Sequence, residues 1–174
     1  MKNNTDEFIM DQIGVEDSGK KKVFGPGAAK DQIIGGRDSG NVFILCLNDD
    51  LRDEIAEALS QKLDKTFVKI SRKDGTPAII ATAEKDNQIV SLPRGAALAS
   101  KNREILKNNG KVLFIMCDFA SLLKATDGSE EARSEITILI NRFEPNFMNT
   151  AHHIIRGDQS LEEMIQDALE KIAI

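Results

Sequence analysis

Two uninterrupted apolar runs, NVFILCL at residues 41–47 and KVLFIMC at residues 111–117, constrain the fold more than any other feature of this chain. Each has the length of a strand but lacks the alternation of a half-buried one. Both faces must therefore be covered, as they are for a central strand of a parallel sheet. Between and after these runs come amphipathic segments. NDDLRDEIAEALSQKL places Leu51, Ile55, Leu59 and Leu63 on one helical stripe, with Asn48, Asp49 and Asp50 as candidate N-terminal caps. SLEEMIQDALEKIAI carries a capping box from Ser160 to Glu163 and apolar residues at 161, 164, 165, 168, 169 and 172.

Shorter pieces complete the pattern. TFVKI and QIVSL read as strands, and so does AIIATA, separated from QIVSL by the polar turn EKDN. AALASKNREILKNNG reads as a helix with a glycine stop, SLLKA and EEARSEITILINRF as two more, and AHHIIR as a last strand. Strands alternating with helices predict a three-layer α/β/α fold with a mostly parallel sheet of about five strands.

The first forty residues differ in character. Seven of the twelve glycines fall there with little apolar periodicity, so residues 1–40 read as a flexible extension and residues 41–174 as the domain. Within the extension, GVEDSGKK (14–21) matches G-x-x-x-x-G-K, a phosphate-cradling pattern, but Lys21 stands where a hydroxyl residue is needed. The glycines and Pro26 that follow forbid the helix such a loop must feed. The match is a coincidence of composition.

A net charge of −5 argues against nucleic acid or an anionic membrane as a partner, and no apolar run reaches the length of a membrane span. The N-terminus has no export signal, so a cytoplasmic location is expected. Cys46 and Cys117, the only cysteines, sit in the two apolar runs and read as reduced core residues. His152 and His153 are adjacent on a strand, so they face opposite ways, one toward the core and one toward the surface.

In this order the segments NVFILCLNDDLRDEIAEALSQKLDKTF, VSLPRGAALASKNREILKNNGKVLFIMCDFASLLKAT, NRFEPNF and AHHIIRGDQSLEEMIQDALEKI resemble the shikimate kinase family, small-molecule kinases with a phosphate loop. The resemblance implies a five-stranded parallel sheet flanked by helices. It also implies ATP-dependent phosphorylation of shikimate in aromatic amino-acid synthesis. The functional residues carried over by position mostly fail. The loop glycines fall on Cys46, Asp49 and Leu51, the lysine on Arg52 and the Mg²⁺-binding hydroxyl on Asp53. Glycine is needed where the backbone approaches phosphate with positive φ, and three carboxylates, Asp49, Asp50 and Asp53, repel a polyphosphate. These carboxylates are expected to cap the helix instead.

The family's Asp-x-Asp falls on Lys69-Ile70-Ser71, and its triple-glycine turn on Pro93-Arg94-Gly95. A hairpin over RKDGTPAIIATAEKDNQ stands in place of the substrate insert, and Arg133 is the only arginine near the missing lid. NRFEPNF retains Arg142, Pro145 and the aromatic Phe147. The expectation is a catalytically inactive family member with a binding, scaffolding or regulatory role. Arg52, Arg94 and Arg142 are its candidate ligand contacts, with no catalytic residue, metal ligand or cofactor. Its partner is then a protein or a small anionic ligand. Two other readings stay open: a working shikimate kinase with an atypical phosphate site, and a small-anion sensor.

Overall fold

The computed structural model describes residues 39–174. The expected extension therefore lies outside the described residues except for Ser39 and Gly40, as does GVEDSGKK. Ser39 is not a loose end: it is buried, and its hydroxyl donates to the carbonyl of Asn109 at 2.5 Å.

The two apolar runs become β1 (Val42–Cys46) and β4 (Lys111–Met116), which lie side by side. With β2 (Thr66–Lys69), β3 (Gln88–Ser91) and β5 (His153–Arg156) they form one sheet in the order β2-β3-β1-β4-β5, parallel throughout. Every residue of β1 is buried, as a two-sided central strand requires. The edge strand β2 is largely exposed.

Among the described residues six helices cover the sheet: α1 (Asp49–Leu63), α2 (Gly75–Ala83), α3 (Ser100–Asn108), α4 (Phe119–Lys124), α5 (Glu130–Thr150) and α6 (Leu161–Ala173). α1 packs with α6, while α2, α3, α5 and α4 pack in that order one against the next, which gives the two outer layers. The capping box on α6 forms as its sequence dictates, with Ser160 and Glu163 each bonding the other's backbone N–H. On the α5 side, Phe147 is fully buried with its ring edge-on to Phe114, centroids 5.2 Å apart. Gly110 permits the entry into β4, since a Cβ there would stand 2.6 Å from the carbonyl oxygen of Asn41.

Four local expectations are corrected. AIIATA is helical and belongs to α2, so no hairpin fills this stretch. β2 and β3 are parallel neighbours and need a crossover, which a hairpin cannot supply. Ile79, Thr82 and Ala83 are the buried positions, at helical spacing. AALASKNREILKNNG is broken into a 3₁₀ turn (Arg94–Ala97) and α3, because side chains of α3 take the carbonyls a continuous helix would use. Asn102 donates to the Ala96 carbonyl, and Arg103 to those of Ala97 and Leu98. α5 continues through Pro145 to Thr150, anchored beyond the proline by Phe147. Lastly, both histidines are half-buried rather than split between core and surface. His152 precedes β5, and its Nδ1 accepts from the Val112 N–H at 2.9 Å.

Candidate functional site

In an open α/β sheet the ligand crevice lies at the carboxyl ends of neighbouring strands whose connections leave in opposite directions. Here those strands are β1, which leads outward to β2, and β3, which leads back across the sheet to β4. Only Leu47 and Asn48 separate β1 from the first turn of α1. Asn48 is the N-cap, its side chain accepting from the Leu51 N–H at 3.1 Å. The expected aspartate caps are thereby corrected: an amide does that work, and the carboxylates are drawn elsewhere.

Arg52 draws them. It is 3% exposed, and its guanidinium lies in the crevice. Nη1 meets Asp49 at 2.6 Å, Nη2 meets Asp53 at 3.0 Å, and Nε donates to the Ser91 hydroxyl, at the end of β3, at 2.7 Å. The Ser91 hydroxyl in turn donates to Asp53. Further cations close the cluster from outside: Lys69 contacts Asp53 at 2.5 Å and Arg94 contacts Asp49 at 3.0 Å. Arg72 stands 3.8 Å from Asp49.

Two carboxylates are therefore met by three close cations. Burial alone would push the Asp53 carboxyl up. The Lys69 ammonium, the Ser91 hydroxyl and the Arg52 guanidinium together hold it below the usual carboxylate range. Asp50 is exposed, and the described residues hold no group of three or more His, Cys, Asp or Glu placed to hold a metal ion.

Beside this cluster lies a cavity of about 710 Å³, walled by α2, the 3₁₀ turn, the start of α3 and the middle of α5. Of the three arginines singled out in the sequence, it brings together Arg94 and Arg142 and adds Arg72, while Arg52 does not line it. Among the described lining residues Glu135 is the only carboxylate, against three arginines. Ile79, Ile138, Leu139 and Phe143 supply its apolar part. Two polar atoms on this wall are buried with no partner among the described residues, Nε of Arg94 and Oδ1 of Asn102. Buried polar groups ordinarily find a partner, from protein, water or ligand. The exposed Arg142 lies with its guanidinium carbon 5.4 Å from the centre of the Phe143 ring. Arg133, the other arginine noted near the missing lid, does not line the cavity.

Sequence reasoning missed Lys69, Arg72, Ser91 and Asn102. Lys69 and Ser91 end the parallel strands β2 and β3, the placement at which α/β sheets gather ligand groups, and that signal was present once the strands were assigned.

Comparison with known proteins agrees with this fold. The family model described as shikimate kinase matches residues 46–173. Shikimate kinase 2 of Yersinia pestis is 27% identical over 96 residues, 48% of this chain and 55% of that protein. The chain thus spans about half the length of these curated relatives. Shikimate kinase 2 of Yersinia pseudotuberculosis is 26% identical over 133 residues, 66% of this chain and 76% of that protein. Among solved structures, shikimate kinase from Acinetobacter baumannii in complex with shikimate superposes with a TM-score of 0.66 at 15% identity, over 85% of this chain and 97% of that one. Shikimate kinase from Bacteroides thetaiotaomicron gives 0.64 at 18% identity, over 77% and 98%. At such identities the likeness is one of fold. No helix among the described residues is long and apolar enough to cross a membrane.

Proposed function

We propose, from the premise that the chain belongs to the shikimate kinase family, that this member binds a small carboxylate-bearing ligand without phosphorylating it. Its role is then binding or regulation. One observation carries the reading: the Arg52 cluster occupies the crevice between β1 and β3 from within. A bound polyphosphate needs a run of free backbone N–H groups, a mobile cation and often a hydroxyl for Mg²⁺. In this crevice the β1–α1 turn is two residues long, the nearest N–H is taken by Asn48, and the cation is locked to two aspartates. These residues do not fit ATP–Mg²⁺ and offer no route to phosphoryl transfer.

The adjoining cavity supports the binding half of the reading. Arg94 and Arg142 suit a carboxylate by charge-assisted, fork-like hydrogen bonding, and the apolar wall suits a small carbon ring. Shikimate, with which the Acinetobacter baumannii kinase forms its complex, is such a molecule, and it is the ligand to test first.

Calorimetric titration of the full chain with ATP–Mg²⁺ and, separately, with shikimate tests both halves. ATP at millimolar concentration should give no binding heat. Shikimate should bind, and Arg142→Ala should weaken it. An ATP dissociation constant tighter than about 100 µM, roughly −5.5 kcal/mol, or ADP release that depends on shikimate, would instead make the chain a working kinase of its family. No heat with shikimate would remove the assigned ligand.

A further inference from the structure

The two cysteines meet. Cys46 ends β1 and is paired in register with Ile115 of β4. Cys117 lies two residues beyond Ile115, so it returns to the same face of the sheet. Their sulfurs are 3.6 Å apart in the core, although the residues are separated by 71 positions in the chain. Both are free thiols, and they are the only cysteines the protein has.

The two sulfurs are not equivalent. Cys46 is sealed at 0% exposure. Cys117 lines a second cavity of about 290 Å³, together with Met116, Asp118, Phe119, Glu144 and Arg156. Cys117 is 5% exposed, and of the two thiols it is the one that borders a cavity. The hydrogen bond between them works in the same direction. Either sulfur can donate in this contact; with Cys46 as the donor, the bond holds the Cys117 thiol low against burial and the nearby Asp118 and Glu144 carboxylates. The same bond and its own burial push the Cys46 thiol up.

We propose that Cys117 and Cys46 form a peroxide-responsive dithiol, with Cys117 as the attacking thiol and Cys46 as the resolving one. The Cys117 thiolate attacks one oxygen of a hydroperoxide; the S–O bond forms, the O–O bond breaks, and the departing alkoxide or hydroxide takes up the proton that the Cys117 thiol released, leaving as alcohol or water. Cys46 then attacks the sulfur of that sulfenic acid. The S–S bond forms, the S–O bond breaks, and the departing hydroxide takes the Cys46 proton as water. Two thiols are oxidised and one hydroperoxide is reduced. Closing the gap from 3.6 Å to the roughly 2.05 Å of a disulfide requires the chain to give. The yielding side is Cys117, which stands beyond the last ladder pair, Met116 with Arg156. The bond would tie the β1–α1 turn, and with it the Arg52 cluster, to the turn that leads into α4.

The test uses the full reduced chain, hydrogen peroxide as the probe and an alkylating agent added on denaturation. The expected product is a monomer lighter by two hydrogens that takes up no alkyl group and gives a single peptide linking Cys46 to Cys117. In Cys46→Ser, the sulfenic acid at Cys117 should persist and be trapped by dimedone. In Cys117→Ser, oxidation of Cys46 should slow by about tenfold or more. Two alkylatable thiols after peroxide, or linkage only between chains, would overturn the proposal. So would a Cys117→Ser chain whose Cys46 reacts as fast as either thiol of the wild type. The wild-type mass decides even if a variant fails to fold.

Discussion

Replacing Arg52 with Met tests whether the crevice is held shut by its own charges. The guanidinium makes three short contacts, to Asp49, Asp53 and Ser91, from a site only 3% exposed. Removing one partner of a buried ion pair typically costs about 3–5 kcal/mol, because the other charge is left unpaired. Two features lower that figure here. Asp53 keeps Lys69 and Ser91, and Asp49 keeps Arg94. The Asp49 side chain is also 38% exposed, so water screens its share. The expected loss is about 2–4 kcal/mol, which for a chain of this size lowers Tm by roughly 5–15 °C.

Urea denaturation of the wild type, Arg52→Met, Asp53→Asn and the double variant measures it, provided the m-values agree. The double variant should lose less than the sum of the singles, by about 0.5–3 kcal/mol, because the two groups stabilise each other. Arg52→Met within about 0.5 kcal/mol of wild type, or strictly additive singles, would refute the internal-cluster argument. A gain in stability would mean instead that Arg52 is held under strain for a ligand.

Further outcomes follow from the same geometry. Asn48→Ala should cost about 0.5–2 kcal/mol by thermal or chemical denaturation, since Asn48 caps α1; Asp50→Ala, at an exposed position, should cost much less. Phe147→Ala should cost about 3–5 kcal/mol, as it empties a fully buried site against Phe114. Burial, then Lys107, His153 and Lys111, hold the His152 pKa below its ordinary 6.5, and burial with Lys111 and Lys171 does the same for His153. The unfolded chain therefore takes up these protons first. The histidine contribution is present above about pH 6.5 and is lost as pH falls through the lower folded values. His152→Asn, which keeps an acceptor for the Val112 N–H, should flatten part of that decline, and an unchanged pH profile of Tm would refute the assignment.

The elements legible in the sequence are those whose pattern is complete within one segment. β1 and β4 are uninterrupted apolar runs, and only a two-sided strand uses such a run well. α1 and α6 carry their own stripes and caps, so the hydrophobic effect and the terminal N–H groups specify them without reference to distant residues. From these alone the three-layer fold follows. Tertiary structure decided what local preference left open. AIIATA carries β-branched residues that suit a strand, yet parallel neighbours need a crossover, and that demand outweighs a propensity worth at most about 1 kcal/mol.

The site shows the same division more sharply. Sequence reasoning saw Asp49, Asp50 and Asp53 as carboxylates that repel a polyphosphate and cap the helix instead. Ser91 lies 39 residues from Arg52, and Arg94 and Lys69 come from the ends of other elements. No spacing rule links them, because the sheet brings strand ends together in the order β2-β3-β1 rather than in chain order. The meeting of Cys46 with Cys117, and of Arg94 with Arg142 at one cavity, has the same origin. Residue types are written in the sequence, but charge balance and proximity arise only when strands far apart in the chain become neighbours.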